Sequence, residues 1–121
     1  MTTDQFQTGR VLRYYEVVDA DDVPTLIDLF EPDAVYNRPG YPPMRGHADL
    51  RRFYTGERVI ADGCHRIGIT VAEGNRVAAY GDFIGTLKDG RQVELRFADF
   101  FELTPAGRFS RRDTFFFSPA V

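Results

Sequence analysis

Residues Gln92–Leu103 read QVELRFADFFEL and alternate with a period of two. Val93, Leu95, Phe97, Phe101 and Leu103 fall on one face of the strand this predicts, and the residue completing that face is Asp99. A carboxylate between Phe97 and Phe101 projects into an apolar interior. There it must be paired, hydrogen-bonded or kept neutral by a raised pKa.

The segments around this strand follow from punctuation and period. Phe6–Val18 carries Val11, Leu12, Tyr15 and Val18 as a helical stripe with Tyr14 on its flank. Asp22 caps a second helix with Pro24 in its first turn, running through Leu26, Ile27, Leu29 and Phe30 and stopped by Pro32-Asp33. Ala34–Arg38 reads as a short strand. Gly46-His47-Ala48-Asp49 opens a third helix that presents Leu50, Phe53 and Tyr54 on one side. From Cys64 onward the texture is that of strands: His65–Val71, Val77–Leu87, Gln92–Leu103 and Phe109–Phe117. Their turns are Glu73-Gly74-Asn75, Lys88-Asp89-Gly90 and Thr104-Pro105-Ala106-Gly107. The expected architecture is α+β: three N-terminal helices against one face of a strongly curved antiparallel or mixed sheet. Such a sheet leaves a conical hollow.

At 121 residues the chain has the length of a single domain, 1–121. Its net charge of −3 and scattered arginines give no nucleic-acid footprint and no membrane patch. The polar start is unlike a secretory signal and Cys64 stands alone, which points to a reducing cytoplasm. His47, His65 and Cys64 match no common ligand spacing, so no metal is expected. The 11 Phe and 6 Tyr suit either a thick core or a pocket for a flat, apolar small molecule.

Parity within the strands nominates further acids. In Phe109–Phe117 the set Phe109, Arg111, Asp113, Phe115 and Phe117 is the more apolar, so Asp113 is predicted inward and Arg112 outward. In Val77–Leu87 the set Tyr80, Asp82 and Ile84 is preferred inward, with Gly81 marking a bend. Asp82, Asp99 and Asp113 would then share one hollow and require a cation or shared protons. Arg38 or Arg111 could supply the charge, and Tyr14 and Tyr36 hydroxyl donors. Tyr80, Phe97, Phe101, Phe115, Phe30 and Phe53 are the expected ligand-contacting aromatics. Phe83, Phe100 and Phe116 are placed on the outer face, as an apolar patch for a homodimer.

Two longer runs carry a family resemblance. RYYEVVDADDVPTLIDLFEPDAVYNRPGYPPMRGHADLRRFY (13–54) and FADFFELTPAGRFSRRDTFFF (97–117) resemble ketosteroid isomerases and other nuclear-transport-factor-2-like proteins, including SnoaL-like cyclases and limonene-epoxide-hydrolase-like enzymes. The resemblance implies a cystatin-like α+β barrel around a conical cavity, hosting many chemistries. Ketosteroid isomerase forms its oxyanion hole from a Tyr and a protonated Asp. Tyr14 and Asp99 fall on those positions, whereas the isomerase's general base falls on Arg38, which cannot take a proton at neutral pH.

The epoxide-hydrolase branch implies water activation by Asp113 and Asp82 with help from Tyr36. Its bridging Arg falls on Tyr80 and its Asn on Arg38. The cyclase branch implies a proton-handling Asp99, with Tyr14 or Arg38 stabilising an enolate. Together these imply a cofactor-free acid/base enzyme acting on a polyketide-, terpenoid- or steroid-like molecule by epoxide opening or by cyclisation or isomerisation. The alternative is a non-catalytic binding or accessory protein of the same fold.

Overall fold

A computed structural model describes residues 3–118, so the expected span 1–121 runs beyond them at both ends. Helix α1 (Thr3–Asp19) buries Gln7, Val11, Tyr14, Tyr15 and Val18 along one stripe, while Leu12, expected on it, is substantially exposed. Helix α2 (Val23–Asp28) is capped by Asp22, whose carboxylate accepts the Thr25 N–H at 3.3 Å, with a proline in its first turn.

Pro32-Asp33 does not stop this helix. The chain has already entered strand β1 (Phe30–Asn37), and the proline sits where the ladder is irregular. Strand β2 (Met44–Arg45) pairs with β1 and leads into α3 (Gly46–Arg52), which ends in a π-helical turn, Phe53–Glu57. That wide turn carries buried Phe53 and Tyr54.

Four long strands follow: β3 (Ile60–Glu73), β4 (Arg76–Leu87), β5 (Gln92–Leu103) and β6 (Phe109–Phe116). The six-stranded sheet has the order β2-β1-β6-β5-β4-β3 and does not close; β1 and β6 run parallel and the other pairs antiparallel. Helix α1 lies over the inner face, so the expected α+β architecture is the observed one. Among the described residues, no helix is long and apolar enough to cross a membrane.

Strand β5 has the face expected of it: Leu95, Phe97, Asp99, Phe101 and Leu103 are buried, and Phe100 is exposed. The faces of both neighbouring strands are the reverse of expectation. In β4 the inward residues are Val77, Ala79, Gly81 and Phe83, with Tyr80, Asp82 and Ile84 outward. The three-residue loop Lys88-Asp89-Gly90 sets this register, placing Ala79 opposite Asp99 and Gly81 opposite Phe97. A β-bulge in β3 brings the Arg66 carbonyl within 2.1 Å of where a Cβ on residue 81 would stand, so only glycine fits there.

In β6, Phe109 pairs with Leu103 but Arg111 already pairs with Glu102, so Ser110 is an extra residue. Its Oγ donates to the Glu102 carbonyl at 3.2 Å. This bulge inverts the rest of the strand, turning Arg112, Thr114 and Phe116 inward and Arg111, Asp113 and Phe115 outward.

Candidate active site

The inner face carries one carboxylate from the meander, and it is saturated. Asp99 is fully buried and accepts four hydrogen bonds: from Tyr15 Oη at 2.6 Å, from Thr114 Oγ1, and from Arg112 through Nε at 3.2 Å and Nη2 at 2.9 Å. Burial alone would raise its pKa, but the Arg112 charge and these donors hold it below the ordinary carboxylate value. Asp99 is therefore a fixed anion, with no proton to give and no lone pair directed to a ligand.

The inward arginine organises the rest of the polar floor. Arg112 Nη1 donates to Tyr14 Oη at 2.5 Å and to Tyr54 Oη at 3.1 Å, and its guanidinium stacks 4.6 Å from the Tyr14 ring centroid and 4.5 Å from that of Tyr36. The two phenols are 2.6 Å apart, and only one of their two protons can lie between them. The other O–H has no protein acceptor among the described residues, so it is a donor available to a ligand.

Burial pushes both phenols above the ordinary tyrosine value despite the nearby Arg112 charge, so both stay protonated at neutral pH. A second chain of bonds has a fixed direction. Thr114 spends its proton on Asp99, so Tyr36 Oη must donate to Thr114 Oγ1 at 3.0 Å while accepting from Arg38 Nη1 at 2.9 Å.

Above this floor is a cavity walled by Ile60, Phe83, Leu95, Phe97 and Phe116, with Tyr14, Tyr54, Arg38, Arg58, His65, Arg112 and Thr114 as its polar lining. The unfilled space is about 360 Å³ including the mouth, of which about 20 Å³ admits the centre of a water molecule. That is room for about one water, or for one reacting group of a larger molecule. The Phe83 ring lies against Gly63, where any Cβ would stand 2.2 Å from it.

His65 enters the same cavity from β3. Its Nδ1 lies 2.6 Å from Asp19 Oδ1, at the C-terminus of α1, and its backbone N–H donates to Asp19 Oδ2 at 2.8 Å. Burial lowers the His65 pKa, with Arg112 adding to that; the Asp19 hydrogen bond and charge oppose it without restoring the ordinary histidine value.

The other nominated residues divide cleanly. Phe97, Tyr14 and Arg38 line the cavity, and Tyr36 belongs to its hydrogen-bond network. Asp82 and Asp113 do not reach it. Asp82 faces outward beside Arg96 at 3.7 Å, and Asp113 accepts from Asn37 Nδ2 at 2.8 Å and from Arg111 Nε at 3.0 Å. The charge beside Asp99 comes from Arg112, not from Arg38 or Arg111.

Tyr80 and Phe115 are exposed on the outer face, while Phe30, Phe53 and Phe101 are packed in the core behind the cavity. Phe83 and Phe116, expected outside, are cavity walls. The sequence marks His65 only as a metal-ligand candidate without a fitting partner spacing. Alternation with Cys64 and Arg66 puts it on the face of Ile67, but nothing local links it to Asp19, 46 residues away.

A family model for the SnoaL-like domain matches residues 11–112. The chain belongs to the SnoaL-like family. Comparison with curated protein sequences gives no significant match to this SnoaL-like protein. Among solved structures it is similar to the epoxide hydrolase/cyclase-like enzyme SalBIII, described in pyran ring formation in the polyether salinomycin, at 22% identity and a TM-score of 0.84, with 96% of this chain and 94% of that one covered. A candidate polyketide cyclase from Xanthomonas campestris pv. campestris matches at 22% identity and a TM-score of 0.84, covering 93% and 91% of the two chains. A candidate aromatic ring hydroxylase from Novosphingobium aromaticivorans matches at 28% identity and a TM-score of 0.79, covering 93% and 87%. These likenesses support the SnoaL-like, nuclear-transport-factor-2-like fold, which hosts different chemistries.

Proposed function

We propose that this SnoaL-like protein is a cofactor-free acid/base enzyme that promotes cyclisation or isomerisation of a small, largely apolar carbonyl compound. The observation that carries this reading is the uncommitted phenolic O–H of the Tyr14–Tyr54 pair, held beside the Arg112 charge under apolar walls. Fixed donors in a water-poor site favour negative charge developing on a substrate oxygen, as happens when a carbonyl becomes an enolate. The narrow cavity suits a carbonyl head group, with the apolar remainder towards the mouth. Water activation by two aspartates is not supported, because Asp82 and Asp113 face the opposite side of the sheet.

A second reading, a non-catalytic binding protein, is favoured by one observation: all the hydrogen-bonding capacity of Asp99 is used internally. Binding of 4-nitrophenol separates the two readings. An oxyanion site should bind the yellow phenolate and lower the apparent pKa of the bound phenol, and Tyr54→Phe should weaken that shift. Binding of the neutral phenol alone would support the binding protein, and no binding would reject the oxyanion site.

Two wider expectations belong to the same proposal. Ile69, Tyr80, Phe100 and Phe115 leave an apolar stretch on the outer face, with the Phe100 and Phe115 rings 5.7 Å apart. A second copy of the chain is its proposed cover, and Phe115→Glu should yield monomers in sedimentation. The exposed, unpaired Cys64 suits a reducing, cytoplasmic setting.

A further inference from the structure

The floor of the cavity can stabilise an oxyanion, but it holds no base. Asp99 is saturated, Tyr14 and Tyr54 keep their protons, and Arg38 and Arg112 are cations. Proton abstraction needs a lone pair facing the cavity. His65 is the lining residue with a ring nitrogen left over for that role.

Asp19 accepts from both the backbone N–H and Nδ1 of His65, which fixes the ring and assigns its proton to Nδ1. In the neutral ring Nε2 is then an acceptor. It has no hydrogen-bond partner among the described residues. It is also not sealed, since the one sealed side-chain N or O without a partner among them is Gln7 Oε1. The rings of Phe83, Phe97 and Tyr15 pack around the imidazole with centroids 4.7, 5.4 and 5.1 Å away, holding its plane.

Asp19 occupies the last residue of α1, where the helix dipole disfavours an acid. Its two bonds to His65 offset that cost and tie the end of the helix to β3.

We propose that His65, oriented by Asp19, is the base that removes a proton from the carbon next to the substrate carbonyl. This rests on the oxyanion reading above. The C–H bond breaks and its electron pair forms the enolate C=C. The carbonyl π pair moves to oxygen, where the Tyr14–Tyr54 O–H meets it beside the Arg112 charge. The proton forms the new Nε2–H bond, and the Asp19 carboxylate stabilises the imidazolium. In a β,γ-unsaturated substrate the enolate is a dienolate, and returning that proton to its γ-carbon shifts the double bond and completes an isomerisation. Alternatively, the enolate carbon attacks a second carbonyl, the imidazolium protonates the new alkoxide, and a ring closes. Neither route needs an oxidant or co-reactant. Asp19 is a positioning residue; His65 is the catalytic one.

The charged groups facing the ring are Asp19 on α1, Asp99 on β5 and Arg112 on β6. With burial they leave His65 neutral at pH 7, so activity should be flat there and fall on the acid side below the ordinary histidine value of about 6.5. Loss of the Asp19 charge should move that acid limb to still lower pH, an effect a merely structural role would not produce.

The test follows α-hydrogen exchange of 2-tetralone in D₂O by proton NMR, alongside 4-nitrophenolate binding and the ring nitrogen shifts of His65. Wild type should accelerate exchange, and His65→Gln should lose about 10²- to 10⁴-fold of that acceleration while still binding 4-nitrophenolate. Asp19→Asn should retain part of the rate with the acid limb displaced. Exchange at the wild-type rate in His65→Gln with phenolate binding intact would overturn the base and leave the oxyanion site standing. Failure of the wild type to exchange 2-tetralone while binding phenolate would overturn it equally. A ring found as the Nε2–H tautomer would do so without any ligand. Absence of phenolate binding in the wild type would instead remove the oxyanion site, and the base with it.

Discussion

Two pairs of a carboxylate with a nitrogen side chain border the same cavity and are built to opposite ends. Asp99 and Arg112 form a sealed unit: the carboxylate takes four donors, and the guanidinium distributes its protons over the acid and two phenols. Asp19 and His65 form an open one, with Nδ1 committed, Nε2 uncommitted and the histidine side chain 10% exposed. Burial alone does not mark the reactive group. A charge that must be buried is stabilised by using all its bonds, and a group that uses all its bonds cannot exchange a proton.

Breaking the sealed pair should have the largest effect on stability. Arg112→Met leaves the Asp99 charge buried and uncompensated, and urea denaturation should show a loss of about 3–5 kcal/mol. Adding Asp99→Leu to that variant should recover much of it. Retention of wild-type stability by the single variant would mean that Asp99 is protonated in the fold.

Acidification should separate the pairs by pH window. His65 has a folded pKa below its unfolded value, so the unfolded chain binds the extra proton first. Stability should therefore decline as pH falls from about 6.5 towards the folded pKa. Asp99 also has a depressed folded pKa, and its contribution is lost only below about 4, as pH falls through the folded value. Urea midpoints against pH for wild type and His65→Gln should differ in slope in the upper window and run parallel in the lower one.

Removing one phenol should do less. Tyr54→Phe takes away one hydroxyl from the Tyr14–Arg112 cluster and should cost about 0.5–1.5 kcal/mol. The smallest effects belong to the outer face. Asp82→Asn and Asp113→Asn alter exposed or half-buried groups beside Arg96 and Arg111, and each should stay within about 0.5 kcal/mol of wild type. Loss of 2-tetralone exchange in either would break the distinction between the two faces.

The helices, the strands of the meander and the inward direction of Asp99 were legible because period and punctuation are local properties of the chain. The inner faces of β4 and β6 were misread for two different reasons. In β4, Ala79 and Gly81 look like poor core residues, but the three-residue loop from Lys88 to Gly90 contained the register: odd residues of β5 oppose odd residues of β4. Loop length was a better guide than hydrophobicity. In β6 the bulge at Ser110 changes parity within the strand, and a serine between Phe109 and Arg111 gives little local sign of it.

By itself, then, the sequence determined the α+β architecture, the family resemblance and the burial of one aspartate, since each depends on patterns within a segment or along the whole chain. The tertiary structure alone decided which cation meets that aspartate and which histidine lines the cavity. Arg112 reaches Asp99 because one extra residue turns a strand over. Asp19 reaches His65 because the end of a helix lies against a strand 46 residues further along the chain. Neither pairing is encoded by spacing, because both are made by packing.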